Sequence, residues 1–183
     1  MKPGWAWDEA PCDLEAAVIR MRTIQKTSAP IHRLMRIPVP WVFILAYLVG
    51  VGLQFLFPLT VHAAEIHRLS RVAGLVFLVV GAALAGWCLL IFRKIKTTTV
   101  PFESASHLVT RGPYKVSRNP MYISLILAYL GEAAILEQVW PLPLLALTVL
   151  YLARIVIPFE ENRLQQVFGA TYGEYCARVR RWI

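Results

Sequence analysis

Val72-Ala73-Gly74-Leu75-Val76-Phe77-Leu78-Val79-Val80-Gly81-Ala82-Ala83-Leu84-Ala85-Gly86-Trp87-Cys88-Leu89-Leu90-Ile91-Phe92 runs for 21 residues without a charge. As a helix rising about 1.5 Å per residue, it is long enough to cross a hydrocarbon core of about 30 Å. A soluble helix of this length would show a polar face; this one shows none, so its solvent is lipid. The small residues Ala73, Gly74, Gly81, Ala82, Ala83, Ala85 and Gly86 let a second helix approach closely, which reads as a packing seam. Residues 39–57 form a second uncharged run, with Gln54 as its one amide. Two further apolar runs follow: 121–136, interrupted by Glu132, and 139–159, carrying Arg154 near its end. Glu137 and Gln138 separate them, and Trp140, Pro141 and Pro143 follow, the pattern of a helical hairpin with Trp140 at an interface and Pro141 in a first turn. Glu132 is costly in lipid and is expected to face a protein interior.

The rest of the chain agrees with a membrane solvent. Of 183 residues, 57% are hydrophobic and 16% charged, against roughly 25% charged in soluble domains. The mean hydropathy is +0.55. The expected fold is therefore all-α: a polytopic integral membrane protein, one membrane domain over 1–183. About four transmembrane helices are expected, at 39–57, 72–92, 119–136 and 139–159, the last two forming a C-terminal helical hairpin.

The net charge of +8 is largely an orientation signal. Of the 19 Lys and Arg residues, only Arg68 and Arg71 fall in the first loop and none in the third, leaving 17 on the other side. By the positive-inside rule both termini and the second loop are cytoplasmic, in a bacterial inner membrane with the site facing the cytoplasm. No basic stripe with interleaved aromatics argues for nucleic acid. Residues 1–38 hold no apolar core of signal-peptide length. They carry instead Leu14, Ala17, Val18, Met21 and Ile24 at helical spacing, suiting an interfacial or packed helix. Cys12, Cys88 and Cys176 are isolated, and His62 and His67 are expected at an interface, so no disulfide framework or metal site follows.

Polarity gathers in two cytoplasmic segments, 93–118 and 160–183. The first leads through Ser104-Ala105-Ser106-His107-Leu108-Val109-Thr110-Arg111-Gly112-Pro113-Tyr114-Lys115-Val116-Ser117-Arg118-Asn119-Pro120-Met121-Tyr122 into the third span. Gly112-Pro113 reads as a turn, and Asn119 and Pro120 as the start of a helix whose free N–H groups, beside Arg118, suit a carboxylate or phosphate. In the second, Glu160 and Glu161 place negative charge where the fourth helix emerges. A ligand bearing both an anion and a cation fits these two poles, with Tyr114 and Tyr122 offering aromatic faces. The competing reading is structural: Arg118 pairs with Glu160 or Glu161. Thr171 and Glu174 are spaced as a capping box, Gly169 as a helix stop, and Tyr172, Tyr175, Val179 and Trp182 as packing residues. There is no P-loop and no Gly-x-Gly-x-x-Gly.

The order Leu108-Val109-Thr110-x-Gly112-Pro113-Tyr114-x-x-x-Arg118-Asn119-Pro120-Met121-Tyr122, then Glu160-Glu161-x-x-Leu164-x-x-x-Phe168-Gly169-x-x-Tyr172-x-x-Tyr175 and Val179-x-Arg181-Trp182, resembles the isoprenylcysteine carboxyl methyltransferase family, related to the phospholipid methyltransferases. The likeness covers about residues 95–183. It implies transfer of a methyl group from S-adenosylmethionine, enclosed on the cytoplasmic side, to a lipophilic acceptor drawn from membrane lipid or a lipid-modified substrate. Carried over by position, Ser106, His107, Leu108, Val109, Gly112, Tyr114, Asn119, Pro120, Met121, Tyr122 and Glu160 would bind the cofactor. Glu160, Glu161 and Arg118 would serve the reaction. Asn119 stands where the family has His, so a role needing a titrating side chain there does not carry over. Two alternatives remain: an NADPH-dependent sterol-reductase-like enzyme, and a non-catalytic assembly protein whose Arg118 and Glu160 region is a structural ion-pair cluster.

Overall fold

The computed structural model describes residues 38–59, 64–95 and 108–182, all within one compact unit, Ile37–Ile183. The stretch from Leu14 to Ile24, together with His62, Ser106 and His107, lies outside the described residues. Every regular element among them is helical: α1 (Val39–Leu56), α2 (Ala64–Ile95), a 3-10 turn (Gly112–Lys115), α3 (Pro120–Ile135), α4 (Pro141–Tyr151), a π turn (Leu152–Val156), α5 (Ile157–Phe168) and α6 (Ala170–Arg178). The chain is a polytopic membrane protein, with Val39–Leu56, His67–Lys94 and the continuous Pro141–Phe168 each long and apolar enough to cross a bilayer. The third expected span, 119–136, is observed as α3 and is shorter than these. Its 16 residues cover about 24 Å at 1.5 Å per residue, less than the hydrocarbon core. Proline stands in the first turn of three helices, Pro40 in α1 and, where the sequence reading expects them, Pro120 in α3 and Pro141 in α4.

In lipid there is no hydrophobic drive between helices, so backbone approach decides packing. Along the α2–α3 seam a Cβ on Gly131 would lie 2.8 Å from both Gly74 O and Leu78 N, and one on Gly81 would lie 2.9 Å from Ser124 O. The seam read from the small residues of α2 is therefore real at Gly74 and Gly81. It does not extend to Gly86, where an added methyl group would meet nothing within 4 Å. On the other side α1 packs on α4, and a core of Val39, Phe43, Tyr129, Leu145, Leu152, Val156 and Ile157 fills the space beside α3.

The α3–α4 connection is closed by polar groups. Gln54 Oε1 accepts from Val139 N–H and Trp140 N–H, Trp140 Nε1 donates to Phe57 O at 2.8 Å, and Tyr47 OH donates to Gln138 Oε1 at 3.0 Å. His67 and Arg71 both pair with Glu137, at 2.6 and 2.9 Å. Glu132 departs from expectation: it is exposed. It stands less than one turn from the end of α3, beside this polar connection, where a carboxylate need not be enclosed.

Candidate functional site

The opposite end of the α3–α4 hairpin is where the polar segments meet. Gly112, at φ +60°, begins the 3-10 turn, and a side chain there would strike Ile91 Cδ1 at 2.6 Å. The turn presses Tyr114 into a pocket of Cys88 and Val109, edge-on to Phe92 at 5.7 Å between ring centres. Burial, with the neighbouring Cys88 thiol, pushes the Tyr114 phenol well above its usual range, so the ring is a neutral packing element. Its carbonyl accepts from Tyr175 OH at 2.7 Å, which ties α6 to the turn.

The start of α3 is differently occupied from the sequence expectation. Asn119 is the N-cap residue, yet its side chain caps nothing. Asn119 Nδ2 instead donates to Arg181 O at 2.9 Å, and Ser117 Oγ donates to the same carbonyl at 3.3 Å. Asn119 N–H donates to Ser117 Oγ, while Tyr122 and Ile123 N–H donate to Asn119 O. Pro120 has no N–H, so the helix start is mostly spent within the chain rather than held ready for an anion.

Glu160 and Glu161 are adjacent in α5 and point about 100° apart. Tyr122 OH donates to Glu160 Oε1 at 2.6 Å. Glu161 is taken by two guanidinium groups: Arg181 at 3.1 and 2.5 Å through Nε and Nη2, and Arg118 Nη1 at 3.2 Å. Arg118 Nη1 also donates to Cys176 Sγ at 2.8 Å. Burial works to lower the Arg118 pKa, but Glu161, Cys176 and Tyr172 outweigh it, and the guanidinium is held cationic. Arg118 Nε and Gln165 Oε1 are buried with no hydrogen-bond partner. Of the two pairings left open by the sequence, Arg118 chooses Glu161.

The remaining expected residues divide. Val109 packs beneath the turn and Met121 beside it, Leu108 joins the cluster of Tyr172, Tyr175 and Val179, and Pro120 is fully buried. The packing assigned to Tyr172, Tyr175, Val179 and Trp182 is observed. Gly169 does stop α5, at φ +52°, but it also takes the N-cap of α6, so Thr171 lies inside that helix and the capping box does not form. Ser117, Gln165, Cys176 and the carbonyl of Arg181 belong to the mouth without having been singled out in the sequence. Their partners lie 58 to 64 residues away in the case of Ser117 and Cys176, beyond any local pattern.

The arrangement suits a ligand that carries both a cation and an anion. It offers one carboxylate matched only by a neutral phenol, an orphaned buried guanidinium donor and an orphaned amide acceptor. A model of the family described as phospholipid methyltransferase matches residues 69–171. A curated protein of Arabidopsis thaliana, protein-S-isoprenylcysteine O-methyltransferase B, is 29% identical over 110 residues, which cover 58% of this chain and 55% of that protein. The chain thus matches about half the length of this curated relative. No solved structure matches it.

Proposed function

The chain belongs to the phospholipid methyltransferase family, and from that premise we propose that it moves a methyl group from S-adenosylmethionine to a lipophilic acceptor at the cytoplasmic face of a membrane. The observation that carries the reading is the Tyr122–Glu160 pair at 2.6 Å, set at the mouth of a lipid-embedded hairpin that also holds the unpartnered Arg118 Nε. When bound, the cofactor supplies a methyl group activated by its sulfonium.

Glu160 supplies negative charge for the cationic part of the cofactor, and Tyr122 holds that carboxylate in one orientation. Arg118 Nε is the donor suited to the cofactor's carboxylate. Leu108, Val109, Met121 and Pro120 form the apolar wall that excludes water from the reacting atoms. A carboxylate acceptor needs no general base. An amine or thiol acceptor does, and Glu160 is the base we assign to take that proton.

An apolar crevice of about 520 Å³, open to the side of the bundle and lined by Leu130, Leu142, Leu145, Val149, Leu150 and Ala153, supports a lipid-like acceptor. It runs along α4 as far as the π turn, and Glu160 follows Ala153 by seven residues, about 10 Å of helix. The relative's name specifies isoprenylcysteine; for this chain the acceptor class we propose is a membrane lipid or lipid-modified molecule.

S-adenosylhomocysteine is expected to raise the thermal transition of the purified protein, and Glu160→Ala to abolish that rise. No stabilisation of the wild type at millimolar ligand refutes the reading.

A further inference from the structure

The residues following α6 are fastened across the mouth. Arg180 O accepts from Arg118 N–H at 3.0 Å, Arg181 O accepts from Asn119 Nδ2 and Ser117 Oγ, and Trp182 packs on the core that contains Leu152 and Ile157. Arg181 is thereby held to the start of α3 by its main chain and to Glu161 on α5 by its side chain. One residue bridges the two elements that carry Tyr122 and Glu160.

The bridge also separates the two carboxylates by role. Glu161 lies against Arg118 at 3.2 Å and Arg181 at 2.5 Å, and its side chain is only 17% exposed, so it has no charge left for a ligand. Glu160, on the adjacent position, accepts from a neutral phenol and is clamped by neither of these guanidinium groups. If Glu161 were free, a cationic ligand would find two neighbouring carboxylates about 100° apart and two competing poses. With Glu161 clamped there is one.

We infer that Glu161 and Arg181 are positioning residues: the segment 180–182 is a strap, anchored by Asn119, that fixes the rotation of α5 against α3 so that Glu160 alone faces the ligand. This rests on the cofactor reading above. It also gives Asn119 a purpose suited to an amide, which donates to Arg181 O at every pH without titrating.

The test is the affinity of the full-length, detergent-purified protein for S-adenosylhomocysteine, measured by calorimetry for Arg181→Met, Glu161→Gln and the double variant. Because Arg181 acts through Glu161, each single change is expected to weaken binding by about tenfold, and the double variant by about the same factor. Arg181→Lys, which keeps the charge but cannot reach both carboxylate oxygens, is expected to fall between wild type and Arg181→Met. A double variant weakened by the product of the two single effects means that both side chains touch the ligand independently and overturns the inference. So does unchanged affinity in Arg181→Met while the wild type binds. Wild-type protein that fails to bind overturns the cofactor reading, and with it this one. If Arg181→Met does not fold, Asn119→Ala paired with Glu161→Gln carries the same expectation of non-additivity.

Discussion

Replacing Gly131 by alanine adds one methyl group at the tightest point of the α2–α3 seam. The new Cβ would stand 2.8 Å from Gly74 O, 2.8 Å from Leu78 N and 3.0 Å from Leu78 Cβ. Two of these are backbone atoms and cannot swing aside. Relief to an ordinary contact requires the helices to part by about 0.6 Å, and a gap of that size forfeits roughly a quarter to a half of each van der Waals contact it opens. Such contacts are what hold helices together in lipid. Overpacking of this kind costs about 1–3 kcal/mol, and the better helix propensity of alanine returns up to about 1 kcal/mol. With the full propensity gain returned, the net loss is up to about 2 kcal/mol, or up to roughly 8 °C in Tm for a chain of this size, and Gly131→Ala lies about 1–3 kcal/mol below a glycine-to-alanine change that meets nothing. Gly86→Ala is the control, because it lies on α2 with nothing within 4 Å of the added methyl, and it is expected to leave Tm unchanged or slightly raised. Melting of the two variants in the same detergent, followed by intrinsic tryptophan fluorescence, makes the comparison. A Gly131→Ala protein as stable as Gly86→Ala refutes the close-approach argument.

Two further outcomes are expected at the mouth. Tyr122→Phe removes the donor to Glu160 Oε1 and should weaken S-adenosylhomocysteine binding by about tenfold in calorimetry; unchanged affinity means the pair does not shape the ligand site. Burial pushes the Tyr175 phenol from 10.0 up to about 12, with Arg118 opposing and Cys176 adding to the shift. The folded chain therefore keeps a proton that the unfolded chain loses, so this contribution to stability is complete below pH 10 and is lost as pH rises toward about 12. Tyr175→Phe should cost about 1 kcal/mol at neutral pH, from the lost bond to Tyr114 O, and melt with a shallower decline above pH 10 than wild type; an equal decline refutes the assignment.

What the sequence made legible is what depends on near neighbours. Uncharged runs marked α1 and α2, proline marked the starts of α3 and α4, and Gly74 and Gly81 marked a seam, because each acts within a turn or two of its own position. The extent of α3, expected at 119–136 and observed at Pro120–Ile135, was legible as well; what holds the turn after it was not. The apolar run continues to Leu136, but the chain reverses at Glu137 with φ +54° under pairings from His67 and Arg71, residues of another helix. What the start of α3 keeps for an anion was hidden for the same reason. The donors of Asn119 and its neighbours are consumed by Ser117 nearby and by Arg180 and Arg181 more than 60 residues away. The adjacent Glu160 and Glu161 could be recognised as the acidic pole, but which of them faces a ligand is a matter of helix rotation, and charge patterning is silent on that.

That rotation, which the strap holds in place, is first set locally. Leu145, Thr148 and Leu152 are buried at α-helical spacing along α4. Continued at 100° per residue, Glu160 would stand about 80° away from the line through Leu152. The π turn Leu152–Val156 takes up one extra residue and brings it back to within about 20°. Val156, Glu160, Leu164 and Phe168, in steps of four, then share the packed side, and Val156 is buried while Leu164 and Phe168 pack on the tyrosines of α6. Pro158 supplies the reason for the wide turn. It has no N–H to give the carbonyl of Arg154, and its ring would collide with that carbonyl in a regular helix. Widening the turn around Arg154 relieves the collision without breaking a helix that has to cross lipid, where an open backbone is costly. One proline, placed two residues before Glu160, thus turns the first carboxylate toward Tyr122 and leaves the second for Arg118 and Arg181 to clamp.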